Sequence, residues 1–128
     1  MSARSKARKR ALDALYAAEL RGRPATEELA EFDGVVNEHT QALVDGVSER
    51  SAALDAIISE YAEGWTLDRM PAVDRNVLRI GVFEILYVDD VPDAVAISEA
   101  VNLARELSTD DSAAFVNGVL GNVARHRG

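Results

Sequence analysis

The chain has 128 residues, no cysteine and a formal net charge of −8. That length supports one domain with a real core and needs no covalent staple. The missing cysteines exclude disulfides, thiolate metal sites and thiol nucleophiles, and they fit a cytosolic protein.

The charge is unevenly placed. Residues 1–10 carry Arg4, Lys6, Arg8, Lys9 and Arg10 and no acid, whereas the rest holds nine basic and 22 acidic side chains. A basic arm on an acidic body is what phosphate binding by counterion release rewards. The same charges also suit a solvated, frayed terminus. The arm lacks the apolar stretch and cleavage site of a signal peptide, so neither secretion nor membrane insertion is expected, and the expected location is the cytoplasm.

In chain order, the spacing predicts a first helix from Lys6 to Arg21. Ala7, Ala11, Ala14, Leu15 and Ala18 form a packing stripe, while Lys6, Lys9, Arg10, Asp13, Tyr16 and Leu20 lie on the opposite side. Basic side chains hold phosphates and an aromatic ring gives an unstacked base a platform, so Tyr16 on the side of Lys9 fits a nucleic-acid surface. Leu12, Tyr16 and Leu20 equally make a second packing stripe. Gly22 and Pro24 end this helix, Thr26 caps a short one through Phe32, and Asn37 caps a long one to about Tyr61. Gly64 opens a connector from Trp65 to Pro71, with Trp65 expected to plug the junction it crosses.

Val73 to Val88 is apolar nearly all round, which marks a buried central helix, and Arg75, Arg79 and Glu84 keep it from reading as a membrane span. Asp89, Asp90 and Pro92 close it. An amphipathic helix from Ala94 to Leu107 follows, then a polar loop and a last helix from about Ala113 to Arg125. Gly118 and Gly121 inside that helix predict another backbone close by. No strand pattern occurs. The fold class is all-α, a single compact domain of about seven helices.

A search for chemistry finds little. His39 and His126 lack companions at ligand spacing and read as surface residues, so no metal is expected. Asp89–Asp90 and Asp110–Asp111 read as helix-end residues before they read as a hydrolytic pair. No phosphate loop or nucleophile turn is present, so no catalytic residue and no cofactor is expected. Glu84 is the informative polar residue. A carboxylate among Val77, Ile80 and Val88 must be paired internally, for instance with an arginine from another element, or lie at a binding surface. Arg75 and Arg79 form either a small basic spot or the partners of nearby acids.

Three phrases in order then carry a resemblance: ARKRALDALYAAEL at 7–20, WTLDRMPAVDRNVLRIGVFEIL at 65–86 and VPDAVAISEAVNLARELSTDDSAAFVNGVL at 91–120. With these the chain resembles the NusB family of bacterial transcription antitermination factors along nearly its whole length. The resemblance implies two helical subdomains, about 1–62 and about 65–128. It implies a non-catalytic factor that binds the boxA element of ribosomal RNA leader transcripts. The implied partners are that single-stranded RNA, the small-subunit ribosomal protein NusE, the transcription elongation complex and, in some relatives, a second copy of the chain.

By position, RNA contact falls on Arg4, Lys6, Arg8, Lys9, Arg10 and Tyr16, and the ribosomal-protein interface falls near Glu84. On that basis, replacing Arg8, Lys9 and Arg10 together with alanine is expected to weaken RNA binding and leave folding intact. Two departures stand out: Ser98 where many relatives carry Asn, and Gly121 where they carry an acid. The alternatives are an adaptor that mainly holds the ribosomal protein, or a module related to that of ribosomal RNA cytosine methyltransferases, with no catalytic domain expected within these 128 residues.

Overall fold

The computed structural model describes residues 2–127 and contains seven α-helices and no strand among them. Helix α1 spans Ala3–Arg21, α2 Ala25–Ala30, α3 Glu38–Glu49, α4 Ser51–Tyr61, α5 Ala72–Tyr87, α6 Asp93–Leu107 and α7 Asp110–Arg127, with a 3-10 turn at Leu67–Arg69. No helix among the described residues is long and apolar enough to cross a membrane.

Helix α5 packs against α1, α3, α4, α6 and α7. Its Val77, Leu78, Ile80, Val82, Phe83 and Ile85 are all buried, as expected for a helix apolar on every side. The α1 stripe of Ala7, Ala11, Ala14 and Leu15 is buried too, joined by Leu12, while Tyr16 and Leu20 stay outside. Of the two readings of Tyr16, the packing stripe therefore fails beyond Leu12.

Helix ends follow local chemistry. Ser2 caps α1 by accepting from the Ser5 N–H at 3.0 Å, which starts the helix three residues earlier than expected. Gly22 ends it in the left-handed region at φ 65°. Asn37 caps α3 through His39 N–H at 2.7 Å, as expected. At α2 the expectation fails: Pro24 occupies the cap position and Thr26 lies inside the helix. Thr109 Oγ1 caps α7 by accepting from the Ser112 N–H, so Asp110 and Asp111 sit in its first turn, where carboxylates complement the dipole.

The single long helix expected from Asn37 to Tyr61 is two helices, broken at Arg50, whose φ and ψ are −109° and 17°. The break lets α3 stay against α1 while α4 turns onto α5 and α7. Trp65 does not plug a junction; it is 52% exposed, with its ring tilted against Phe115.

The glycines of α7 are also not where backbones meet. A Cβ at Gly118 would meet nothing within 4 Å, and one at Gly121 only the tip of Arg125. The close approaches are at Gly46, where a Cβ would lie 2.1 Å from the Phe83 ring, and at Gly81, 2.6 Å from Leu120. Phe83 is buried and cannot swing clear. Gly46→Ala is therefore expected to destabilise the fold by about 1–3 kcal/mol through overpacking. Gly118→Ala is expected to stabilise it by up to ~1 kcal/mol through helix propensity. Denaturant midpoints of the two variants check this, and equal shifts would remove the Gly46–Phe83 contact as the reason for that glycine.

Candidate nucleic-acid interface

Helix α1 carries the basic arm, and its helical period divides the arm between inside and outside. Arg8 points inward and is 3% exposed. Its Nε donates to both oxygens of Glu84 on α5, at 2.8 and 3.1 Å, and its Nη1 donates to Glu99 Oε1 on α6 at 2.9 Å. Ser5 Oγ, one turn earlier, donates to the same Glu99 oxygen. On the far side of Glu84, His39 Nε2 lies 2.7 Å from Oε2. Thr40 Oγ1, beside His39, donates to the Ala7 carbonyl at 3.0 Å. One buried network thus fastens α1 to α3, α5 and α6.

Glu84 is 1% exposed. Burial pushes its pKa up, but hydrogen bonds from His39 and Arg8 and their charges outweigh that, and its pKa lies below the usual glutamate value. The carboxylate is ionised and internally paired, which was the first of the two options its position left open. The expected surface placement of Glu84 is corrected accordingly, and so is that of Arg8. A cation held in the interior by two carboxylates presents almost no surface to a phosphate. His39, read as a surface residue, is buried as well.

The other arm residues face out. Arg4 pairs with Asp90 at 2.9 Å and Lys9 with Glu106 at 2.8 Å, both in exposed positions. The Arg10 guanidinium lies over the Phe32 ring, 3.6 Å from its centroid. Lys6 is exposed, and neither Lys6 nor Arg10 has a carboxylate within ion-pair distance among the described residues. Tyr16 is 37% exposed, about 10 Å along the helix from Lys9. Lys6 and Arg10 also line a groove of about 230 Å³ whose other wall is the loop after α2, with Phe32, Val36 and Asn37; Val35 at its rim is 97% exposed. Cations, one aromatic ring and exposed apolar surface therefore adjoin along the outer side of α1.

Arg75 and Arg79 form no basic spot. Arg75 bonds Glu19 at 3.0 and 2.5 Å and the carbonyls of Leu67 and Met70, and Arg79 grips Asp55 at 2.8 and 3.0 Å while reaching Glu19 at 2.7 Å. These pairs tie α1 and α4 to α5 and leave no charge for a ligand.

The NusB family model matches residues 5–125. The chain belongs to the NusB family. It is 59% identical over 131 residues to the transcription antitermination protein NusB of Nocardioides sp., covering 99% of this chain and 97% of that protein. It is 56% identical over 133 residues to the same protein of Salinispora tropica, covering 98% of each. Among solved structures, T. maritima NusB matches with a TM-score of 0.90 at 34% identity, over 98% of this chain and 92% of that one. A crystal structure of antitermination factors NusB and NusE in complex with dsRNA matches with a TM-score of 0.85 at 28% identity, over 95% and 96%.

For this NusB-family chain, residue types alone did not single out His39, Glu99 or Phe32. Arg8 did carry a separating cue: it shares the helical face of Leu12 and Leu15, whereas Lys6 and Arg10 share the face of Asp13.

Proposed function

We propose that the chain is a non-catalytic antitermination factor that binds the single-stranded boxA element of ribosomal RNA leader transcripts together with the ribosomal protein NusE, within the transcription elongation complex. The observation that carries this reading is the outer side of α1, where Lys6 and Arg10 stand free of carboxylates beside the groove of Phe32 and Val35. Arg4, Lys6, Lys9 and Arg10 are assigned to phosphates and Tyr16 to an unstacked base. Arg8 and Glu84 are assigned to positioning: they fix α1 so that its outer residues keep their spacing. The same reading divides the chain into subdomains of about 1–62 and about 65–128, the first bearing the arm. The solved assembly of NusB, NusE and dsRNA, which matches over 95% of this chain, supports RNA and NusE as the two partners.

A second reading is favoured by one feature. Arg4 and Lys9 are already paired with Asp90 and Glu106, so the free protein presents less charge than its sequence offers. An adaptor that mainly holds the ribosomal protein, with RNA bound by the pair, fits that economy.

Binding of a boxA-like strand and of a scrambled strand, each with and without the ribosomal protein, separates the readings. The first expects boxA preference by the chain alone, strengthened by NusE. Preference arising only in the presence of NusE supports the adaptor. Equal affinity for both strands under all conditions would remove boxA recognition from either.

A further inference from the structure

A second feature lies away from α1, between the N-terminal ends of α5 and α7. There a cleft of about 390 Å³ is floored by Met70 and Pro71 and walled by Trp65 and Phe115. Among the described residues, none from α1 and none that is basic lines it. Its polar residues are Asp74 from the first turn of α5 and Asp111 and Ser112 from the first turn of α7.

Asp74 is the unusual member. It is 4% exposed, and its Oδ2 accepts from Ser112 Oγ at 2.6 Å. Its Oδ1 is buried and meets no donor among the described residues. Ser112 has no second hydrogen to give, since its hydroxyl proton goes to Asp74 and Thr109 donates to the same oxygen. The neighbouring Arg75 is committed to Glu19 and to the carbonyls of Leu67 and Met70. A buried carboxylate oxygen without a donor is costly, and in native proteins such an atom calls for a partner.

The charge of the cleft decides what that partner is. The two helix N-termini contribute about half a positive charge each. Asp74 and Asp111 supply two full negative charges against them, and Asp110 stands in the same first turn of α7. The balance favours a cation. Trp65, half-exposed at the rim, adds an aromatic face, which attracts a planar guanidinium by stacking and by its quadrupole. A guanidinium also has a fork of N–H donors, so one group offers hydrogens to both carboxylates that line the cleft. An exposed tryptophan next to desolvated polar groups is the composition of a protein-binding hot spot.

We propose that this cleft is a docking site for an arginine side chain presented by a partner protein, with the guanidinium donating to the free oxygen of Asp74 and lying against Trp65.

Trp65 is the only tryptophan of the chain, so its fluorescence reports on this cleft alone. The test titrates the full chain with N-acetyl-arginine amide and, at matched ionic strength, with the neutral isostere N-acetyl-citrulline amide. The expected result is a saturable change in Trp65 emission with the arginine compound, at a dissociation constant on the order of millimolar for a single side chain. The citrulline compound should bind at least about tenfold more weakly, one charge-assisted contact being worth that much. Asp74→Asn keeps the acceptor for Ser112 and should abolish the preference. Asp111→Asn, at an exposed position, should weaken arginine binding severalfold without disturbing the fold, and it decides the matter if Asp74→Asn unfolds. No emission change with the arginine compound, equal binding of the two compounds, or an unaltered preference in a folded variant would each overturn the proposal.

Discussion

Glu84→Ala is expected to cost about 3–5 kcal/mol of stability, because it leaves the Arg8 guanidinium buried beside an empty carboxylate position. A small domain has about 5–15 kcal/mol in total, so the variant should unfold at a much lower denaturant concentration than the parent. Arg8→Ala should cost a similar amount for the mirror reason. Combining Arg8→Met with Glu84→Leu should cost less than the two single losses added together, since an apolar pair needs no partner.

The same network fixes a pH dependence. Glu84 and Glu19 both have folded pKa values below the ordinary glutamate value of 4.5. For Glu19 the bond from Arg75 outweighs burial, and Arg79 adds to it. A carboxylate depressed on folding contributes its full stability above the unfolded value and loses it as pH falls through the lower, folded one. Stability should therefore decline from about pH 4.5 downward. Glu84→Gln, which cannot titrate, should start lower and fall less steeply. Denaturant midpoints across acid pH measure this. A Glu84→Ala unfolding free energy within about 0.5 kcal/mol of the parent's, the range of an ordinary surface substitution, would show that the buried network is energetically idle.

This outcome also separates two ideas that residue types could not. Read from its neighbours on the helical wheel, Glu84 had to be either paired inside or turned toward a partner. Choosing required knowing that α1 crosses α5 with Arg8 facing it, and that α3 brings His39 to the other side. Those are facts of chain crossing, and no local pattern in 1–10 or 73–88 encodes them. What periodicity did encode was the all-α class, the buried face of α1 and the all-round burial of α5, because each follows from spacing within a single helix. The break at Arg50 has no local signal for a related reason: the apolar residues keep helical spacing across it, while α3 packs on α1 and α4 on α5 and α7. Likewise Gly46 and Gly118 look alike in sequence, yet only Gly46 faces an aromatic ring.

Burial of Arg8 changes how the arm must be tested. Replacing Arg8, Lys9 and Arg10 together confounds RNA contact with unfolding, so the informative pair is Lys6→Ala with Arg10→Ala, both on the exposed side and outside the ion pairs. Four outward cations, Arg4, Lys6, Lys9 and Arg10, give a single-strand salt slope of about −2.8 in log–log form, so affinity should fall about 50-fold between ~50 and ~200 mM salt. Removing Lys6 and Arg10 should halve the slope to about −1.4 and reduce that fall to about sevenfold. Melting should be little changed, apart from the small loss of the Arg10–Phe32 contact.

Glu106→Gln should act in the opposite direction. It frees Lys9 from its partner and takes away a negative charge that repels phosphate, so binding should tighten, most visibly at low salt where screening is weak. RNA affinity measured against salt for the parent and the two variants decides the point. An unchanged slope after loss of Lys6 and Arg10 would place the RNA elsewhere. A weakened Glu106→Gln variant would mean that Lys9 binds RNA only while Glu106 holds it in place.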